Sequence, residues 1–439
     1  MENLAELVDA DWSRVAESSR RSVRYAFADV LGVALAAVGD PPYRTLAAYL
    51  RDTGAGPVPL PGGGPVSARH AAIGWGMLAH ARDYDDVSEV LHGHPSAVLV
   101  PAILALGYRT RASGAALLDA YLSGYEALGR VAAAAADVQR ARGWHTTATI
   151  GVLGATVAAA RILRLTRAQA VHSLGIATSM ASGVQANFGS MTKPLHAGWA
   201  AGNAVTAAEL AAAGFEGGPA ALTSDANYLQ VFGGEWPPPA AAAPYIDAGI
   251  RFKPYPCCGS ATGLVDCAVE LAPGVRGAEI AAVTCTMPAQ INRTLRYTDP
   301  ERGDQARFSV EYCVARGLTD GALTEACFRD GFAARPAEVR SLMRRVTRVP
   351  DDALPPNAKD VTVTVRLAGG RELRAASTAP KGHPANPMSA AELRAKFAAC
   401  TADVLPAERG AAAFDRLTHL DREPAADALV DDLLMGVTA

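Results

Sequence analysis

The stretch RDYDDVSEVLHGHPSAVLVPAILALGY, residues 82–108, decides how the rest of the chain is read. Asp83, Asp85, Asp86, Glu89, His92 and His94 crowd its first half, in a chain with only 9 histidines. A His-Pro-Ser step follows, and the sequence then runs into Val, Leu, Ile and Ala. Proline is best tolerated in the first turn of a helix, so the step reads as a helix start. The whole stretch is a polar loop, rich in ionisable groups, seated against a buried helix.

The flanking sequence repeats that pattern. Upstream, residues 13–38 begin with helical periodicity and become apolar nearly all round, as in a helix inside a bundle. Asp40-Pro41-Pro42 is expected to end it, residues 57–65 (PVPLPGGGP) form a loop, and 68–78 form a helix that delivers the chain to the acidic stretch. Downstream, Ser113 caps a helix over 113–136. The break RARGWHTTATIG (140–151) precedes an alanine-rich helix over 152–163, and Thr166 caps another through Ile176. A third break, ANFGSMTKPLHAG (186–198), leads to a helix over 199–213. No convincing strand precedes residue 250.

After PPPAAAAP (237–244), read as a linker, the character changes. Residues 280–287 alternate and are β-branched. VTVTVRL (361–367) alternates strictly and is joined by Gly369-Gly370 to a partner over 372–378, a hairpin pattern. Helices are expected near 260–272, 309–317, 323–328 and 337–345, then again at 389–400 and 407–417. The fold class that follows is mainly α with an α+β part. Residues 1–250 and 389–439 build one large all-helical domain, and 251–388 a smaller α/β domain.

Bulk properties agree. The chain has 439 residues, 50% of them hydrophobic and only 6% aromatic, which favours closely packed helices and more than one core. A net charge of −3 gives no footprint for nucleic acid. Seven cysteines, an odd number without regular spacing, do not suggest a secreted disulfide framework. Neither a signal-peptide core nor a membrane-length apolar run is seen, so a cytoplasmic protein is expected.

Five polar breaks compete as the site: residues 83–94, 144–149, 192–196, 253–260 and 308–312. Taken singly, each has a plain explanation. An acidic run is usually a solvated helix end, a lysine usually lies on the surface, and paired cysteines are usually buried filler. They point to function only if they converge. No phosphate loop, dinucleotide fingerprint, HExxH or paired Cys-x-x-Cys is present, and His92, His94 and Asp85 on one short loop make a poor metal set. Neither metal nor organic cofactor is therefore expected. What is left is proton chemistry by His, Lys, Asp and Tyr beside a carboxylate.

Together, DYDDV, HGHPSAVLVPA, GWHTTATIGVLGATVAAARIL, SMTKPLHAGWAA, FKPYPCCGS, ARFSVEYCVA and PKGHPANPMS resemble, in order and over nearly the whole chain, the MmgE/PrpD family. The resemblance implies a helical domain made from both chain ends, an α/β lid, a homodimer and a cofactor-independent site in the cleft between domains. It implies a lyase of dehydratase or decarboxylase type acting on a small carboxylic or polycarboxylic acid. An isomerase or epimerase using the same proton abstraction is the alternative, and a catalytically silent binding protein the third. The family pattern places Asp83, His94, His145 and Lys193 as catalytic residues, with Lys253, Cys258, Tyr312, Val87 and His196 around the substrate. In this assignment Lys193 and Lys253 pair with substrate carboxylates, His145 or His94 moves the proton, and Asp83 orients a histidine or helps the leaving group. Asp85 and Asp86 brace the loop, and His92 sits at the rim. The chain departs from the decarboxylase pattern at Val87, where a threonine is usual, and at Cys258 and Thr262, where histidines are.

Overall fold

The computed structural model describes residues 1–438 except 223, 237–242, 330–331, 333–334 and 356–357, so most of the 237–244 linker lies outside the described residues. The first long helix, α1 (Glu17–Ala36), stops before the prolines. Pro41 and Pro42 instead open the next helix, α2 (Pro41–Thr53), where a missing N–H costs nothing. That corrects their reading as a terminator. Within the expected 57–65 loop, β1 (Val58–Leu60) and β2 (Gly64–Val66) pair antiparallel. Helix α3 (Ala68–Ala81) then leads into the acidic loop, and α4 (Ser96–Thr110) leaves it with every residue from Ser96 to Gly107 buried.

Ser113 caps α5 (Gly114–Ala141) through the N–H of Ala116, and α6 (Gly151–Ile162) packs against it. Thr166 caps Arg167–Thr178 in a full capping box. The third break is shorter than its polar sequence suggests. Helix α7 (Thr192–Ala212) already begins inside it, so Lys193 and His196 lie on a helix and not on a loop. Pro194 fits there because the first turn needs no N–H. Helices α3 and α7 pack face to face where glycine meets glycine. A side chain on Gly76 would meet the Gly198 Cα at 2.7 Å, and one on Gly198 would meet the Ile73 carbonyl oxygen at 2.4 Å. That approach brings the end of α3 within reach of the start of α7.

The second part holds a four-stranded sheet, in order β4-β3-β5-β6: β3 (Ile280–Pro288), β4 (Val346–Asp351), β5 (Val361–Leu367) and β6 (Glu372–Ser377). Strand β4 runs parallel to β3, whereas β5 and β6 form the expected hairpin. The expected helix over 323–328 is a single 3₁₀ turn at its end, Glu325–Phe328. Ser389 and Glu392 form a capping box on α8 (Ala390–Thr401), which returns to lie on α1, with the Phe397 ring over Gly32.

Buried apolar side chains form two clusters. One spans Met1 to Phe252 and resumes from Leu393 to Leu433; the other spans Cys257 to Ala375. The chain passes from one to the other across Lys253-Pro254-Tyr255-Pro256. Among the described residues no single helix is long and apolar enough to cross a membrane.

Candidate active site

The acidic loop is tied down on all sides. Arg82 grips Asp40 with two hydrogen bonds, at 3.1 and 2.8 Å. Val87 and Arg251 exchange backbone hydrogen bonds of 2.8 and 3.0 Å, linking the loop to the crossing segment. The His94 N–H donates to Thr147 Oγ1 (3.1 Å), and Thr146 Oγ1 donates to the His92 carbonyl (3.2 Å), linking it to the turn that carries His145. Asp83 itself is left-handed, with φ +49°, a conformation that few residues other than glycine, asparagine and aspartate adopt readily.

That backbone aims the Asp83 carboxylate at two ammonium groups. Lys253 Nζ, fully buried, donates to Asp83 Oδ1 and to the Asp83 carbonyl oxygen (2.6 Å). Lys193 Nζ lies 3.1 Å from Asp83 Oδ2. Burial alone would raise the Asp83 pKa, but Lys193 and Lys253 overcome it and hold the carboxyl well below its usual range. The same attraction outweighs burial at Lys253 and raises its pKa. A buried charge persists only when compensated in this way.

Behind this pair stands a line of imidazoles. Lys193 Nζ donates to His80 Nε2 (2.8 Å), which leaves His80 Nδ1 carrying the proton it shares with Asp85 Oδ2 (2.9 Å). His94 completes the cluster, with Nδ1 3.2 Å from Asp85 and Nε2 3.6 Å from Asp83. The His80 and His94 rings are 4.4 Å apart, and His145 lies 5.6 Å from His80. His145 Nδ1 is 3.1 Å from His196 Nδ1, so one of these rings donates to the other. Burial pulls all four histidines down. His80 falls to about 3 and His196 to about 4, while His94 is lowered and His145 lies well below the usual value. At neutral pH the protein therefore presents uncharged imidazoles next to fixed lysine charges.

Asp83, His94, His145 and Lys193 line one cavity of about 110 Å³. Val87 and Cys258 also line it, but His196 does not: it stands behind His145. Lys253 likewise braces Asp83 from outside the cavity wall. Tyr312 is elsewhere. Its ring packs among Phe328 and Phe332 in the second core, its hydroxyl donates to the Cys327 carbonyl, and it does not line the cavity. Thr262 is fully buried and also away from the cavity lining. A larger open cleft of about 920 Å³ touches the other side of Asp83 and Lys193, without His94 or His145. The smaller cavity brings Asp83, Lys193, His94 and His145 together, whereas the larger cleft adds only His80 to Asp83 and Lys193 from this cluster.

Several of these residues were not picked out by motif. His80 sits in an apolar helix, AAIGWGMLAHA, and nothing local distinguishes it from a packing histidine. Arg140, Phe188 and Phe308 also line the cavity; the two rings flank Lys193 Nζ at 5.5 and 5.4 Å. A third cation–π contact in the neighbourhood holds Lys396, which donates to the Tyr84 carbonyl (2.7 Å) and lies 4.0 Å from the Tyr84 ring centre.

His80, Asp83, Asp85 and His94 could in principle hold a metal ion, since one donor atom from each lies within 4.8 Å of the others. Among the described residues Asp85 Oδ1 and His94 Nδ1 have no hydrogen-bond partner, but the donors of Asp83 and His80 face the lysines. Both oxygens of Asp83 face ammonium groups, and Lys193 takes His80 Nε2. A dication there would stand beside two buried lysines, which makes the cluster a poor fit for one.

The MmgE/PrpD N-terminal domain profile matches residues 2–240 and the MmgE/PrpD C-terminal domain profile residues 255–420. Cis-aconitate decarboxylase from Homo sapiens is 28% identical over 353 residues, covering 76% of this chain and 73% of the relative. The Mus musculus enzyme is 28% identical over 363 residues, covering 76% and 72%. Cis-aconitate decarboxylase from Aspergillus terreus is 28% identical over 315 residues, covering 65% and 63%. With both domain profiles matched in order across nearly all of its length, the chain belongs to the MmgE/PrpD family.

Proposed function

We propose that this protein is a lyase that moves a proton on a small polycarboxylic acid, with loss of water or carbon dioxide. The observation that carries the reading is the convergence of Asp83, His94, His145 and Lys193, from three separate parts of the chain, on one small cavity. Its relatives named as cis-aconitate decarboxylases support the reaction class.

The chemistry follows from the charges. Lys193, flanked by two phenyl rings and little solvent, pairs with a substrate carboxylate and stabilises the negative charge that builds on it as a neighbouring C–H bond breaks. An uncharged His145 accepts that proton, and the electron pair passes into the carboxylate-stabilised carbanion. An anion bound beside His145 raises its low basicity toward the operating range, so the base is strengthened when substrate is present. In dehydration the pair then expels hydroxide, which takes a proton from the protein and leaves as water. In decarboxylation the order differs: the C–C bond to a carboxylate breaks, carbon dioxide leaves, and the carbanion takes a proton from a histidine that has first gained it from solvent, its basicity raised by the bound anion. Asp83 holds Lys193 in place for either route.

The test is to incubate the purified protein with cis-aconitate, citrate-type hydroxy acids and unsaturated diacids in deuterated water and follow each by mass spectrometry. Loss of water or carbon dioxide from at least one acid is expected. Deuterium uptake alone, with no group lost, would select the epimerase reading, and no change in any acid would remove the lyase assignment.

A further inference from the structure

The cavity has more positive than negative charge on its walls. Arg140, Lys193, Arg251 and Lys359 face it, against Asp83 and Glu89. Three of those cations have protein partners. Lys193 contacts Asp83 at 3.1 Å, and Arg251 and Lys359 both bind Glu89, at 3.3 and 2.7 Å. Arg140 is different. Half-buried in the last turn of α5, its guanidinium makes no hydrogen bond or ion pair with any described residue. The nearest acids are taken. Asp137, one turn back, binds His92 Nε2 at 2.9 Å, and Glu89 is shared by Arg251 and Lys359.

The backbone around Arg140 is fixed, which a binding group requires. Gln185 Nε2 donates to the Arg140 carbonyl (3.0 Å) and to the Trp144 carbonyl (2.9 Å), locking the end of α5 to the turn that carries His145. Arg140 is thus coupled in position to the proposed base. A guanidinium presents a planar fork suited to two carboxylate oxygens, and burial without a partner leaves that fork under-compensated.

We infer that Arg140 is the anchor for a second substrate carboxylate, so that the cavity selects acids carrying at least two such groups, one on Lys193 and one on Arg140. This rests on the reading of the cavity as a carboxylic-acid site, but it can be tested without turnover. Saturated diacids have no group to eliminate, so their binding is independent of the chemistry.

Isothermal titration of succinate and glutarate, and of their monoamides, against wild-type protein, Arg140→Gln and Arg140→Lys forms a closed cycle. The wild type is expected to prefer a diacid over its monoamide by at least about tenfold, the scale of one charge-assisted anchor. Arg140→Gln should erase that preference while binding the monoamide as the wild type does, which also shows that the cavity is intact. Arg140→Lys should keep part of it, and carries the test if the Gln variant does not fold. A preference that survives in Arg140→Gln, or that is absent from the wild type, would overturn the anchor. If binding depends on Arg140 but no acid is turned over, the anchor stands and the lyase reading falls; turnover of a monoacid with no diacid preference gives the reverse.

Discussion

Asp83 and Asp86 lie on the same loop, three positions apart and both buried, yet their surroundings drive them to opposite protonation states. At Asp83, burial is opposed by two lysines, and the carboxyl ends well below its usual range. At Asp86, burial meets no such cation among the described residues: the Ser96 Oγ and backbone N–H hydrogen-bond the carboxyl, and Ser96 Oγ in turn contacts the Tyr121 hydroxyl at 2.7 Å. Its pKa is pushed up to about 8, so near neutral pH most Asp86 carries its proton. The lesson is that the loop has a chemical half and a structural half. Which half an aspartate belongs to is decided by elements far away in sequence: α7 and the crossing segment supply the lysines, while α4 supplies only Ser96.

Breaking the charged half should have the largest effect. Asp83→Ala leaves two buried ammonium groups facing one another without their carboxylate. A loss of about 3–5 kcal/mol in urea unfolding is expected, together with loss of turnover. Next come the proton-transfer groups. His145→Ala, His94→Ala and Lys193→Ala should each lower turnover by roughly a hundredfold or more while the melting transition persists, because a lost general base or acid costs on the order of 10²–10⁴ in rate. Wild-type rates in all three would remove the site.

The neutral half should respond differently. Asp86→Asn replaces one uncharged group by another of the same shape, so turnover should stay within about threefold. Its effect belongs to the pH dependence of stability between the unfolded carboxyl range and about pH 8. Because the folded pKa of about 8 lies above the unfolded value, Asp86 contributes stability that is complete at low pH and is lost as pH rises through 8. Between pH 6.5 and 8 that loss is roughly 2 kcal/mol. Denaturation curves across this range should therefore fall for the wild type and stay flatter for Asp86→Asn.

The histidines give the opposite, acid limb. His80 and His196, at about 3 and about 4 in the folded protein, remain neutral where the unfolded chain takes up protons. Stability from these groups is complete above pH 6.5 and falls as pH drops toward 4, partly masked by Asp86 acting in the other direction. His196→Gln should reduce the acid slope, the smallest change in the series, and leave the alkaline limb untouched.

How far the sequence reveals this contrast depends on range. Ser113 and Thr166 were readable as caps because each bonds a backbone N–H three residues on, an interaction contained in the local pattern. Strand β4 was not readable. It pairs with β3, far back in the chain, and Arg348 and Pro350 interrupt its alternation because it is an edge strand. The site shows the same division. Asp83, His94, His145 and Lys193 stand in recognisable motifs, but His80 became part of the cluster only through the Gly76–Gly198 approach of α3 to α7. The Tyr312 motif likewise did not encode the direction of its side chain, which points into the second core. Asp86 resembled Asp83 in its local sequence, and what separates the two is that no described lysine pairs with Asp86.

Deuterium exchange puts the central claim most directly at risk. The acid that proves active would be held in deuterated water with wild-type protein, His145→Gln, Asp83→Asn and Asp86→Asn, and label at the carbon beside the carboxylate would be followed over time. Rapid labelling is expected with the wild type and Asp86→Asn, and labelling slowed about a hundredfold or more with His145→Gln and Asp83→Asn. Equal labelling by all four proteins would contradict the central claim, because proton transfer would then not depend on the charged half of the loop.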